Sequence, residues 1–169
     1  MDVRKWLTNV TAGEIMVRDV KTLRKNESLA EAAAMLLREQ VTGAPVVDDQ
    51  GACVGVFSAS DVVGAEEKVA DERRKFAESS FWQSNLALPA SIYASRLAEV
   101  RDKIAPVAEQ PVERFMTRNL VSALEETPLE KVVRDMVDAH VHRVIVLDDN
   151  RRPVGIVSTT DVLAALLRA

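Results

Sequence analysis

Two short stretches of this chain carry hydroxyls and a carboxylate at the same spacing: Ser58-Ala59-Ser60-Asp61 and Ser158-Thr159-Thr160-Asp161. Each follows an apolar run with an embedded glycine, Val54-Gly55-Val56-Phe57 and Val154-Gly155-Ile156-Val157, and each opens a further apolar run of helical character. A strand that turns into a helix presents unpaired N–H groups and a partial positive charge, which suit a phosphate. Ser58, Ser60, Ser158, Thr159 and Thr160 add hydroxyls that donate and accept. Asp61 and Asp161 repel phosphate but can accept hydrogen bonds from vicinal ribose hydroxyls. Ser-x-x-Asp is also a plain helix cap, and spacing alone favours the cap.

A second polar pair separates the two stretches. His142-Arg143 stands where the first half of the chain has Thr42-Gly43. Arginine is permanently charged and forks onto phosphate, and histidine changes charge near neutrality. These residues make the second half the better phosphate site; the competing reading is a surface ion pair for Arg143 and a half-buried polar group for His142. His140 and His142 have no acidic or thiolate cluster at ligand spacing, so no metal site is expected. Cys53 lies inside an expected strand without a His or carboxylate partner and reads as a buried, inert thiol. With no Gly-rich phosphate loop and no nucleophile elbow, no catalytic residue is assigned.

The elements that position these residues come in two copies. A shift of 100 residues aligns 16–63 with 116–163 without a gap, and 12 of the 48 positions are identical, among them Met16/Met116, Gly55/Gly155, Ser58/Ser158 and Asp61/Asp161. Each copy reads as a short strand (Val20–Leu23, Leu120–Ala123) and then a helix. Leu29, Ala32, Ala33, Leu36 and Leu37, and Leu129, Val132, Val133, Met136 and Val137, repeat at helical period. Ser28 with Glu31, and Thr127 with Glu130 followed by Pro128 at the first helical position, form candidate capping boxes. A hairpin follows: Ala44–Asp48 with Cys53–Phe57, and Val144–Asp148 with Val154–Ser158. A second helix closes each β-α-β-β-α unit. Between the units, helices are expected over Ala65–Ser79 and from about Pro89 to Ile104. The aromatics Phe76, Phe81, Trp82 and Tyr93 there favour packing over a loose linker, either on the chain's own domain or against a partner.

Composition limits the partners. The 169 residues carry 47% hydrophobic and 28% charged side chains and a net charge of −4, as expected of a globular, soluble chain without nucleic acid as its main partner. A single cysteine excludes an intrachain disulfide. No apolar run approaches membrane length, and Met1–Asn9 lacks an apolar signal core, so a cytoplasmic protein with no membrane partner is expected.

The strand motifs Val41-Thr42-Gly43-Ala44-Pro45-Val46-Val47-Asp48 and Val141-His142-Arg143-Val144-Ile145-Val146-Leu147-Asp148, with the lead-ins Ile15-Met16 and Phe115-Met116-Thr117, resemble CBS domains over 13–63 and 112–166. The resemblance implies an α+β fold, with two β-α-β-β-α repeats in a pseudo-twofold Bateman module and a helical insertion between them. The chain then divides into an arm (1–12), repeat one (13–63), the insertion (64–111) and repeat two (112–169). Clefts between such repeats commonly bind AMP, ADP, ATP, NAD-type molecules or S-adenosylmethionine. The motif aspartates then bind ribose, and the hydroxyls bind ribose or phosphate. Thr22, Pro45 and Val46 of repeat one, and Ser122, Ile145 and Val146 of repeat two, enclose the base.

The reading is a stand-alone regulatory pair that needs no cofactor, is not an enzyme, takes AMP, ADP or ATP as ligand and acts on an unidentified effector protein. The alternative is a ligand-free interaction module that dimerises through its helices; a nucleotide-using enzyme is a weaker third. A homodimer is expected in either main reading, because Val162–Leu167 is apolar almost all round and a small chain has little surface to cover it.

Overall fold

A computed structural model describes residues 2–70 and 105–169. Of the expected helices between the repeats, Ala65–Ser79 apart from its first six residues and the whole of Pro89 to Ile104 lie in 71–104, outside the described residues, as do Phe76, Phe81, Trp82 and Tyr93. The described elements are α1 (Val3–Asn9), α2 (Ala12–Ile15), β1 (Leu23–Arg24), α3 (Leu29–Arg38), β2 (Gly43–Val47), β3 (Cys53–Ser58) and α4 (Ala59–Ala70), then β4 (Ser122–Leu124), α5 (Leu129–Asp138), β5 (Arg143–Leu147), β6 (Pro153–Ser158) and α6 (Thr159–Arg168). Single 3-10 turns lie at Ala105–Val107 and Val112–Arg114. The fold is α+β, with two three-stranded sheets of order β1-β2-β3 and β4-β5-β6. β1 runs parallel to β2 and β4 to β5, and the hairpins β2–β3 and β5–β6 are antiparallel. Among the described residues no helix is long and apolar enough to cross a membrane.

Local chemistry sets the hairpins. Asp48 ends β2 because its Oδ1 accepts the backbone N–H groups of Gln50 (2.9 Å) and Ala52 (3.0 Å). Asp148 does the same with Asn150 (2.9 Å) and Arg152 (2.8 Å). This aspartate turn permits a left-handed residue, supplied by Gly51 (φ 84°) in the first hairpin. Arg151 takes the equivalent place at φ 62°.

One expected capping box forms and one does not. In α3 the Glu31 N–H donates to Ser28 Oγ (3.2 Å) and the Ser28 N–H donates to Glu31 Oε2 (2.8 Å). In α5 the N-cap is Pro128, which has neither an N–H for Glu130 nor a side-chain acceptor. Thr127 Oγ1 instead accepts from the Leu124 N–H (2.9 Å), and Glu130 accepts from Arg134 (3.0 Å) and from Thr8 (3.2 Å). The N-terminal arm supplies what the box would have: the Leu129 N–H donates to the Val10 carbonyl at 2.8 Å. The Leu29 N–H finds the Gln110 carbonyl at 2.9 Å in the equivalent place.

That contact belongs to a wider exchange. Val17 and Ile156 trade backbone hydrogen bonds (2.9 and 3.0 Å), and Val56 and Thr117 do likewise (2.9 and 2.8 Å). Each lead-in therefore borders the other repeat's sheet, and β1 and β4 begin only at Leu23 and Ser122, two to three residues later than their sequences suggest. The cores are exchanged too. Val112, Phe115 and Met116 bury against Leu23, Leu29, Leu36, Val46, Phe57 and Val62. Ala12 and Met16 bury against Leu129, Val132, Met136, Val144 and Val157, and Trp6 and Leu7 pack on the same cluster. Leu29 and Leu129 are fully buried, so truncating either to alanine would cost about 2–5 kcal/mol.

Candidate functional site

Each helix that opens with the hydroxyl–carboxylate motif starts at the end of a hairpin strand. Ser58 is buried, and Asp61 Oδ2 accepts from its N–H (2.7 Å) and its hydroxyl (2.8 Å). Ser158 repeats the arrangement: Asp161 Oδ2 accepts from its N–H (2.8 Å) and hydroxyl (2.6 Å), while Ser158 Oγ accepts from the Asp161 N–H (3.2 Å). The cap reading of the motif is therefore realised. It does not exhaust the carboxylate: both cap bonds fall on Oδ2, and among the described residues Oδ1 of Asp161 accepts none.

The residue pair before each hairpin is tied to the same helix start. The Ala59 N–H donates to the Thr42 carbonyl at 3.1 Å. The Thr159 N–H (3.0 Å) and hydroxyl (3.3 Å) both donate to the His142 carbonyl. Arg143 lies in register with Ser158, and Gly43 with Ser58. In repeat two the fold thus gathers His142, Arg143, Ser158, Thr159, Thr160 and Asp161 at one end of the sheet, with Thr159 and Thr160 exposed and His142, Arg143 and Asp161 half-buried. In repeat one it gathers Thr42, Gly43, Ser58, Ser60 and Asp61, a set without a cation.

The residues named for the base fall on two faces. Ser122 pairs with Ile145, Ile145 with Ile156, and Ile156 with Val17, forming one transverse row. Pro45 pairs with Val56, and Val56 with Thr117, in the equivalent row; the parallel register Leu23 to Val46 sets Thr22 beside Pro45. Side chains alternate along a strand, so Pro45 and Val46 face opposite ways, as do Ile145 and Val146. Val56, in the row of Pro45, is buried in the second repeat's core, which marks that face as the one between the repeats. Val46 and Val146 take the other face and are fully buried, Val46 with Leu23 and Phe57 of its own repeat. Thr22, Pro45, Ser122 and Ile145 hold the rows that reach the other repeat's lead-in, with Ile145 as fully buried as Val46 and Val146 on the opposite face.

Among the described residues no three His, Cys, Asp or Glu side chains converge as metal ligands. Cys53 is buried, and burial raises its thiol pKa. His140 was singled out in sequence only as half of a histidine pair. It ends α5 in a left-handed conformation (φ 56°), its Nδ1 2.8 Å from the Val137 carbonyl. His140, His142 and Thr159 line a groove of about 490 Å³ between α5 and α6, together with Val133, Val137, Val162 and Leu163. This groove brings together residues from both helices, and no single stretch of sequence signals it.

With this geometry in hand, the comparisons with known proteins agree. The family described as CBS domain matches residues 12–68 and again 112–168. Among curated proteins, L-aspartate semialdehyde sulfurtransferase of Methanocaldococcus jannaschii is 26% identical over 149 residues, 88% of this chain but 22% of that protein. The chain spans about a quarter of the length of the first such relatives. Among solved structures, CBSX2 in complex with AMP superposes with a TM-score of 0.66 at 21% identity, over 95% of this chain and 98% of that one. The CBS domain pair of protein MJ0100, in complex with 5′-methylthioadenosine and S-adenosyl-L-methionine, gives 0.61 at 24% identity, over 94% and 97%.

Proposed function

The chain belongs to the CBS domain family, as one pair of CBS repeats, and on that basis we propose that it is a non-catalytic regulatory module that binds an adenosine nucleotide between its repeats. AMP, ADP and ATP are the ligands favoured. The observation that carries this reading is the doubled helix start: Ser58 to Asp61 and Ser158 to Asp161 stand at equivalent strand ends, and in repeat two His142 and Arg143 adjoin the same helix N-terminus. There the partial positive charge of the helix start and Arg143 attract phosphate, although the Thr159 and Asp161 N–H groups are taken by the His142 carbonyl and Ser158 Oγ; Asp161 Oδ1 accepts from ribose, and the row of Ser122 and Ile145 borders the base. The adenosine compounds held by the two solved CBS structures support that ligand class. Binding would act on an effector protein by favouring one arrangement of the repeats over another. The module pairs with a second copy through helix faces left apolar, as exposed Val137, Leu163 and Leu167 suggest.

Isothermal calorimetry against AMP, ADP, ATP, NAD and S-adenosylmethionine, with GMP as control, tests the reading. Saturable binding of an adenosine compound without turnover is expected. No binding across the panel would favour the ligand-free interaction module, which the exposed helix face also fits. Turnover of a nucleotide would make the chain an enzyme.

A further inference from the structure

The two helix starts bring different charge to the face between the repeats. Gly43 lies in register with Ser58, and Arg143 takes the equivalent place beside Ser158. Side chains alternate along a strand, so position 43 faces the same way as Pro45, and Arg143 the same way as Ile145, towards the rows that reach the other repeat's lead-in. Repeat two therefore sets Arg143 near Asp161, whereas repeat one sets a glycine near Asp61.

The cations of the first sheet stand elsewhere. Lys21 alternates with Leu23, a core residue, and so turns away from that face; its Nζ lies 3.1 Å from Asp19 Oδ2 and 3.8 Å from Glu39 Oε2. Lys25 follows β1 at the hairpin end, its Nζ 3.3 Å from Asp49 Oδ2. Arg24 shares the face of Thr22 but lies two residues further from the helix start. Arg118, next to Thr117, donates to the Glu113 carbonyl at 3.2 Å. The first helix start is also the more enclosed: Ser58 is 1% and Ala59 3% exposed, whereas Ser158 is half-buried and Thr159 exposed. Enclosure lowers the effective dielectric constant and strengthens repulsion between a carboxylate and a phosphate.

We propose that the two clefts take different ligands: repeat two holds a phosphorylated adenosine nucleotide, and repeat one holds an adenosine compound without phosphate. Asp61 accepts from ribose hydroxyls as Asp161 does, which retains the nucleoside, while its charge and the glycine in place of arginine turn a phosphate away. This assignment rests on the adenosine reading above and divides the ligands between the clefts.

Isothermal calorimetry of the full chain with adenosine and with AMP tests it by stoichiometry. Adenosine should fill two sites per chain and AMP one, with any second AMP at least ~10-fold weaker. A chain saturated with AMP should still take up one equivalent of adenosine. Gly43→Arg, which copies Arg143, should raise AMP to two sites. Among the described residues Gly51 is the only glycine at positive φ, so the backbone at position 43 admits a side chain. Circular dichroism checks that this variant folds; the wild-type stoichiometries decide the matter if it does not. Two AMP sites of equal affinity, or exclusion of adenosine by saturating AMP, would overturn the proposal and leave the adenosine reading standing. A folded Gly43→Arg variant that still takes one AMP would overturn the part assigned to position 43. Binding of neither compound would overturn the adenosine reading itself.

Discussion

Met116 occupies the space that Gly55 leaves open. A Cβ on Gly55 would come 2.5 Å from Met116 Sδ and 2.9 Å from the Thr117 carbonyl oxygen. The mirror contact recurs at Gly155, where a Cβ would fall 2.7 Å from Met16 Cγ. Methionine can yield, but the Thr117 carbonyl is held in place, because it accepts from the Val56 N–H at 2.9 Å. Gly55→Ala should therefore destabilise the fold by about 1–3 kcal/mol. Adding Met116→Ala should not restore the loss, because the backbone contact remains and a cavity opens. Urea unfolding measures both; a Gly55→Ala variant as stable as wild type would show that the second lead-in is not seated on β3.

How much of this was legible depended on the range of the interaction. The hairpins and the Ser28 and Ser158 caps could be read because each is fixed by residues a few positions apart, and the repeat because the same residues recur 100 positions on without a gap. The start of β1 could not, since Val17 is claimed by Ile156, some 140 residues away. The same holds for Trp6 and Leu7, whose partners are in the second repeat. At the candidate site, the bonds between Ser158 and Asp161 follow from spacing, whereas the tie from Thr159 to the His142 carbonyl needs the hairpin between them. Strand alternation would have separated Pro45 from Val46 and Ile145 from Val146 at the outset, because neighbours on a strand cannot share a face.

Acid should loosen the fold at two defined places. The N–H groups of Gln50 and Ala52 hold the Asp48 carboxyl below its ordinary pKa, and the backbone and hydroxyl of Ser28 do the same for Glu31. A carboxylate depressed in the folded state stabilises it fully above the unfolded pKa and loses that contribution as pH falls through the folded one. Stability should thus be level above about pH 5 and fall below about pH 4.5. Asp48→Asn, which keeps an oxygen for the turn but does not titrate, should flatten that fall. Thermal unfolding between pH 6 and pH 3 checks it; identical slopes for variant and wild type would remove Asp48 from the account.

Cys53 should resist alkylation while the protein is folded. It is 1% exposed, its Sγ lies 3.5 Å from the Gly55 carbonyl, and burial raises its pKa. The reactive thiolate is therefore both scarce and covered. At pH 8, iodoacetamide should label the native chain on the order of 100-fold more slowly than the urea-unfolded chain, because labelling waits on opening of the core. Mass spectrometry of timed samples gives both rates, and equal rates would mean that the β3 edge opens freely.

Binding variants separate the ribose from the phosphate contribution in repeat two. Asp161→Ala would also remove the cap, so Asp161→Asn is the cleaner change: it retains an oxygen for Ser158 and puts an NH2 donor in place of the Oδ1 acceptor. If Oδ1 accepts from ribose, Asp161→Asn should weaken adenosine and AMP alike, by roughly tenfold for one charge-assisted bond. Arg143→Lys keeps the positive charge but loses the fork, so it should weaken AMP several-fold and leave adenosine unchanged. Calorimetry with both ligands on the wild type and the two variants reads the pattern directly. Equal affinity of the wild type for AMP and adenosine would remove Arg143 from phosphate binding. Unaltered binding in Asp161→Asn would place the ribose elsewhere, and the cleft bordered by Asp61 would then be the one to vary.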